Sequence, residues 1–444
     1  MSSNIRENRR RRVIGASVAL GLGLFSIVPL ATSAVAAPGD PGSISGKITV
    51  DTASRGLQAQ AWKEAGVDGW TPVGAPAVAD VAGNYTIAGL PAGSYKVGFG
   101  DYASGTGFAP EYYNDKLSAF DADPVVVAGG VTTANINSTL TYAGPVPTSR
   151  LAGATRYHNS ALVAAEFAAF DAGTGVVYVA SGEKFPDALS AGPAAAYQGG
   201  PVLLTLPGEL PAVVKEQITR RAPDRIVLVG GTDSVSESVF TELGTLAPNV
   251  ERLAGQDRYD TSRLVAETVF PDSPAAFIAT GENFPDALSA SGAAARLSAP
   301  VILVPGSAAA VNKGTTDLLT KLVVKDVYIA GGPNTVTPGI QTSLSDAGFT
   351  VQRLSGADRY EASIAINSQF DGAGTVYLAV GNVFPDALGG GALAGLNSAP
   401  LYVVPGNCVP IALLKNIAYL GATEVVLLSG PARLTAAVES LTHC

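Results

Sequence analysis

Arg150-Leu151-Ala152-Gly153-Ala154-Thr155-Arg156-Tyr157 returns as Arg252-Leu253-Ala254-Gly255-Gln256-Asp257-Arg258-Tyr259, and again as Arg353-Leu354-Ser355-Gly356-Ala357-Asp358-Arg359-Tyr360. A second marker, Phe-Pro-Asp-Ala-Leu, follows each copy at 185–189, 284–288 and 384–388. A third closes the series: Val229-Gly230-Gly231, Ala330-Gly331-Gly332 and the looser Leu428-Ser429-Gly430. Three markers in one order, three times over, define an internal repeat with a period near 100 residues. A unit of that size is a domain rather than a small solenoid repeat. Within the first copy, residues 161–170 have helical spacing and Val176 to Ala180 is a short apolar run. A small-residue helix (188–197), an apolar run (202–206), an amphipathic helix (210–221), a strand (226–229) and a last helix (236–246) follow. Buried strands alternating with helices imply a parallel sheet with helices on both faces. The expected fold is three small doubly wound α/β modules, at 150–247, 248–350 and 351–444.

Outward from the repeats, residues 38–143 read as an all-β sandwich joined by a linker at 144–149. Ile44, Gly46, Ile48 and Val50 alternate, and Gly83–Ile87 and Ser94–Phe99 flank a Gly-Leu-Pro-Ala-Gly turn. The run from Gly83 to Tyr95 resembles the prealbumin-like, carboxypeptidase-regulatory-like sandwiches of exported bacterial proteins. That resemblance implies a spacer or accessory binding domain. Residues 1–36 read as a secretory signal peptide: Arg9 to Arg12, then an apolar stretch from Val13 to Leu30, then Ala34-Val35-Ala36 for cleavage. Arg11-Arg12 also permits a twin-arginine route. Removing this leader takes away five arginines and one glutamate and moves the formal charge from −9 to −13. So acidic a protein is a poor bulk binder of nucleic acid or anionic lipid. No second apolar stretch is long enough to span a bilayer, so no membrane contact is expected after cleavage. Cys408 and Cys444 are the two cysteines. In an exported protein they are expected to pair, and no Cys-x-x-Cys spacing supports the redox-active alternative.

The loops beyond the carboxyl ends of parallel strands are where ligands collect. Pro186 and Asp187 stand where a helix begins, so Asp187, Asp286 and Asp386 read first as dipole-complementing residues of a first turn. A ligand-binding carboxylate is the sharper alternative. Their upstream neighbours Glu183, Glu282 and Asn382 differ, which would break a paired-carboxylate mechanism in the third copy. The Gly-Gly turns lack both Gly-Lys-Ser/Thr and Gly-x-Gly-x-x-Gly, so a nucleotide is not indicated. Arg156-Tyr157, Arg258-Tyr259 and Arg359-Tyr360 pair a guanidinium with a ring, which suits sugar faces and anionic groups. The structural alternative is that each arginine bonds carbonyls or acids of its own module and holds its first strand. His158 and His443 are the two histidines, and no cluster has zinc-ligand spacing. Neither a metal nor a cofactor is expected.

Taken together, Arg-Leu-x-Gly-x-x-Arg-Tyr, Gly-x-x-Phe-Pro-Asp-Ala-Leu and the Gly-Gly turns resemble the type 2 cell-wall-binding repeat family over residues 150–444. The resemblance implies three modules about a pseudo-threefold arrangement and non-covalent attachment to peptidoglycan or a secondary wall glycopolymer. Cys408 and Cys444 resemble the paired cysteines of actinobacterial versions. The expected protein is therefore a secreted, wall-located, non-catalytic surface protein. Its candidate polymer-binding residues are the three Arg-Tyr pairs and Asp187, Asp286 and Asp386. Oligomeric state is not legible. Two other functions compete: a peptidoglycan hydrolase or amidase modifier using Asp187 and Glu183, and an adhesin stacking glycans on Trp62, Trp70, Tyr112 and Tyr113.

Overall fold

The computed structural model describes residues 40–50, 56–64, 70–100, 111–116, 122–140, 146–168, 175–383 and 385–444. The expected leader (1–36) lies outside them, as do residues 144–145 of the linker and residues 169–170 at the end of the first expected helix.

The N-terminal region is all β. Its strands are β1 (Gly42–Val50), β2 (Gln58–Glu64), β3 (Trp70–Val78), β4 (Asn84–Leu90), β5 (Gly93–Gly100), β6 (Glu111–Tyr112), β7 (Val125–Val127), β8 (Thr132–Thr133) and β9 (Ser138–Leu140). One sheet runs β4-β1-β8 with β9 also on β1, and the other runs β3-β2-β5-β6 with β7 also on β5. Period-two alternation sets the faces: Tyr85 and Ile87 are buried on β4 while Asn84 and Thr86 are exposed. Ile44 and Ile48 from the first sheet and Val97 and Phe99 from the second share one core.

Repeat 1 runs β10 (Thr148–Arg150), α1 (Arg156–Ala165), β11 (Val176–Ser181), α2 (Phe185–Tyr197), β12 (Val202–Thr205), α3 (Ala212–Arg221), β13 (Arg225–Val229) and α4 (Glu237–Leu243). Repeat 2 runs β14 (Asn249–Leu253), α5 (Arg258–Val269), β15 (Ala275–Thr280), α6 (Pro285–Arg296), β16 (Val301–Val304), α7 (Lys313–Lys321), β17 (Asp326–Ala330) and α8 (Pro338–Asp346). Repeat 3 runs β18 (Thr350–Leu354), α9 (Arg359–Ile366), β19 (Thr375–Val380), α10 (Pro385–Leu396), β20 (Leu401–Val404), α11 (Ile411–Tyr419), β21 (Glu424–Leu427) and α12 (Ala436–Glu439). The middle strands β11 and β15 are buried from end to end, and β19 from its second residue, because helices cover both faces. On β11, Val177 and Val179 pack towards α1 and α3, and Tyr178 and Ala180 pack towards α2.

The sheets do not coincide with the sequence repeats. Their orders are β12-β11-β13-β14, β16-β15-β17-β18 and β20-β19-β21-β10. Each takes three strands from one repeat and a fourth, the Arg-Leu strand, from the next. The last sheet takes its fourth from the first repeat, with Thr148–Arg150 parallel to Val425–Leu427. The expectation that 150–247, 248–350 and 351–444 each close their own sheet is thus corrected by one strand. The cause is connectivity: β13–α4–β14 is a short crossover unit, and such units place the second strand beside the first in the same sheet. In the third sheet β10, from the first repeat, takes that place beside β21.

An arginine fixes each borrowed strand. Arg252 donates to the carbonyls of Gly230 (3.0 Å), Val235 (2.8 Å) and Ser236 (3.3 Å), and Arg353 donates to those of Gly331 (2.9 Å), Val336 (2.8 Å) and Thr337 (3.3 Å). Arg150 repeats the pattern across the closure, on the carbonyls of Ser429 and Leu434. Inside the ring, α2, α6 and α10 pack on one another. The equivalent positions Gly192, Ser291 and Gly391 meet there, as do Ala196, Ala295 and Gly395. A methyl on Gly391 would come within 2.7 Å of Ser291 Cβ, and one on Gly395 would clash with Ala295 and Ala196. Small residues are therefore required by how closely the three helices approach.

Cys408 and Cys444 form a disulfide, as expected, across a sequence separation of 36. Beside it, the Cys444 N–H donates to the Val409 carbonyl (3.0 Å), so the chain end is fastened just ahead of α11. Two outcomes follow for urea unfolding. Replacing Arg150, Arg252 or Arg353 with alanine strands buried carbonyls and lowers stability by roughly 1–3 kcal/mol each. Reducing the disulfide lowers it by about 3–4 kcal/mol from loop entropy.

Candidate functional site

The offset of the sheets brings the three recurrent motifs together at the seams between repeats. At the seam of repeats 2 and 3, a cleft of about 320 Å3 is lined by Asn283–Asp286 of the Phe-Pro-Asp turn, Gly332–Thr335 of the Gly-Gly turn, and Gly356–Arg359 of the next repeat's marker. The three series far apart in sequence thus become one surface.

Local rules build each wall. The Phe-Pro-Asp turn follows a strand ending in Ser181 or Thr280. The Ser181 hydroxyl accepts from the Glu183 and Lys184 N–H groups (3.2 Å each), and the Thr280 hydroxyl accepts from the Glu282 N–H (3.1 Å). Proline at the helix start ends the turn without losing a needed donor. The marker turn is closed by an N-cap: Asp257 accepts from the Tyr259 and Asp260 N–H groups, and Asp358 from those of Tyr360 and Glu361. Thr155 takes that place in the first repeat, accepting from the His158 N–H.

The aspartates lie at the floor. Asp187 is 7% exposed and Asp286 6%. Each carboxylate lies against a glycine of the Gly-Gly turn: a Cβ on Gly230 would lie 2.5 Å from Asp187 Oδ2, and one on Gly331 would lie 2.5 Å from Asp286 Oδ2. Both glycines also hold positive φ, 117° and 116°, so the position excludes side chains twice over. Burial raises both carboxyls above the ordinary carboxylate value. Against this act the Ser234 hydroxyl and then Arg258 and Lys184 for Asp187, and the Thr335 hydroxyl and then Arg359 for Asp286. The opposing arginine comes from the next repeat in both cases. The third aspartate's side chain, Asp386, and Phe384 lie outside the described residues.

The Arg-Tyr pairs face their own repeat as well as the seam. Arg258 donates to the Gly281 carbonyl (2.6 Å) and Arg359 to the Gly381 carbonyl (2.7 Å), and Arg156 bonds the Gly182 carbonyl likewise. Tyr157, Tyr259 and Tyr360 lie over the same three glycines. These arginines therefore fix the loop after the middle strand and not, as the structural alternative held, the first strand. That work belongs to Arg150, Arg252 and Arg353, whose role sequence reading missed although their recurrence at a fixed place was the available signal. Arg258 also sits over the Phe185 ring of the preceding repeat, 5.9 Å from its centroid. Phe185 in turn meets Phe284 edge-on at 5.9 Å. Of the residues proposed for a glycan-stacking surface, Trp62 and Tyr112 lie against Lys415 of repeat 3. Tyr113 packs partly on the β core, and the Trp70 side chain lies outside the described residues. Among the described residues, no group of three or more His, Cys, Asp or Glu is placed to hold a metal.

The model of the family described as cell wall binding domain 2 matches residues 150–240, 252–341 and 353–439. The N-acetylmuramoyl-L-alanine amidase LytC of Bacillus subtilis (strain 168) is 26% identical over 259 residues, which is 58% of this chain and 50% of that protein. The amidase enhancer of the same organism is 30% identical over 267 residues, 60% of this chain and 36% of that one. The chain thus spans half or less of the length of these curated relatives. Among solved structures, Cwp6 from Clostridium difficile aligns with a TM-score of 0.61 at 20% identity, covering 91% of this chain and 68% of that one. Cwp8 from the same organism aligns with a TM-score of 0.60 at 22% identity, covering 78% and 58%. At that identity the likeness is one of fold.

The buried aspartates give a pH prediction. A carboxyl raised in the folded state binds its proton more tightly folded than unfolded, so ionising it costs stability. Its contribution is fully present below the unfolded value near 3.8 and is lost as pH rises through the folded value. Asp286→Asn should therefore gain stability relative to the parent chain as pH rises from about 4 to 7, measured by urea unfolding, and show no such gain below it.

Proposed function

The chain belongs to the cell wall binding domain 2 family, and we propose that it is an exported surface protein that holds the bacterial wall non-covalently through the seams between its repeats. The observation carrying this reading is the convergence of all three repeated motifs in one cleft made by two repeats. A motif kept three times for folding alone has no need to meet the other two at an open surface. The ligand is a wall glycopolymer or peptidoglycan, with Arg258 and Arg359 offering charge and the neighbouring tyrosines and Phe185 and Phe284 offering ring surface. In a chain of formal charge −9, attraction rests on these local groups and on cleft shape rather than on bulk electrostatics. Residues 1–36 supply export, the β region is a prealbumin-like sandwich serving as spacer or ligand domain, and the disulfide suits an oxidising, actinobacterial surface.

The reading is non-catalytic. Asp187, the acid a hydrolase would use, is buried beneath Gly230, and the names of the amidase relatives belong to proteins at least twice the matched length.

Purified protein should pellet with isolated walls of the source organism at moderate salt. Asn334, exposed at the cleft rim, is the place to block it: Asn334→Trp should weaken pelleting on the order of ten-fold by removing one of several linked sites, with thermal melting unchanged. Undiminished pelleting by this variant would remove the seam from the binding surface.

A further inference from the structure

The helix that follows the third strand of each repeat starts at an equivalent cap: Pro211 before α3, Asn312 before α7 and Pro410 before α11. Counting from these caps, Glu216, Asp317 and Lys415 occupy one position. Glu216 and Asp317 are exposed, but Lys415 is only 8% exposed. In repeat 2 that position lines an open groove of about 610 Å3 between α5 and α7. In repeat 3 it is closed by the N-terminal β region. Lys415 Nζ donates to Tyr112 Oη at 2.7 Å and stands 4.5 Å from the Tyr112 ring centroid and 5.2 Å from that of Trp62.

From this we infer that Lys415, caged by Trp62 and Tyr112, is an interdomain latch that docks the β region in one fixed orientation on the outer face of α11. An ammonium held by a phenol oxygen and an indole ring in a largely desolvated place is worth more than the same contact at a surface. Burial pulls the ammonium down to about 7. Ile411-Ala412-Leu413-Leu414-Lys415-Asn416-Ile417-Ala418-Tyr419 is mostly apolar, and because Ala412 and Tyr419, one turn to either side of Lys415, stay exposed, the cover is local to the lysine. Its counterpart α3 is amphipathic and faces solvent, with Lys215, Glu216, Thr219 and Arg220 exposed. The disulfide at Cys408 braces the entrance of this helix and is found in the repeat that carries the latch. The β region is then not a freely swinging spacer, and Trp62 and Tyr112 are engaged by the chain itself rather than offered to a glycan.

The test uses the full chain with spin labels at Val81→Cys, on an exposed β-region turn, and Lys313→Cys, exposed on α7. Double electron–electron resonance should give one narrow interlabel distance. Lys415→Glu, which installs the residue found in repeat 1, and Trp62→Ala, made from the opposite side, should each replace it by a broad distribution. Lys415→Arg should keep it narrow. A broad distribution in the parent chain, or a narrow one in both disrupting variants, overturns the latch. Should either variant fail to fold, the parent distribution and the other variant still decide.

Discussion

Each parallel sheet of this protein is completed by pairing with the strand that opens the next repeat, so that no repeat builds a whole sheet from its own strands. The arginine on that strand locks it by donating to carbonyls at the Gly-Gly turn and at the cap of the following helix. Two such steps, β14 on β13 and β18 on β17, leave β21 without an outer neighbour and β10 outside any sheet. Thr148–Arg150, placed on Val425–Leu427, resolves both and turns a linear array into a closed ring. Ring closure then brings α2, α6 and α10 together, and the closeness of their approach explains the small residues at their contact. Solenoids, in which each unit touches two neighbours, need caps at their ends; a ring does without them.

The same offset creates the seams. A cleft that draws one wall from the Phe-Pro-Asp turn, a second from the Gly-Gly turn and a third from the next repeat cannot exist in an isolated unit. The buried Asp286 at its floor and the Arg359 guanidinium from the opposite repeat make the cleft polar, whereas Phe284 makes it partly aromatic. The copies are not identical. Asp257 and Asp358 cap their helices where the first repeat has Thr155, and Ser429 stands where the other turns have glycine, so the three seams present different rims.

Much of the α/β architecture was legible in the sequence because its causes are local. Val176 to Ala180 is a continuous apolar run and the Leu-x-Gly-x-x-Arg-Tyr markers lead into capped helices, so strand and helix identity followed from composition and period. The disulfide was legible from the count and context of two cysteines. What was not legible was phase. A repeat has no marked beginning, and taking the Arg-Leu strand as the start of a module assigned it to the wrong sheet. The side-chain roles shifted with it: the first arginine of the marker holds the strand, and the second holds the loop beyond the middle strand. The engagement of Trp62 and Tyr112 with Lys415 was also out of reach, since it joins residues some 300 positions apart. The unusual apolarity of α11 was its only trace in the sequence.

Attachment at the seams is the claim on which the functional account rests. Hydroxyl-radical footprinting of the full chain, free and bound to isolated walls, reads it directly. The account predicts protection confined to the seam residues, such as those around 283–286, 332–335 and 356–359, with the outer helices and the β region unchanged. Protection on the β region or on the outer faces of α3 and α7, with the seams left reactive, would contradict it.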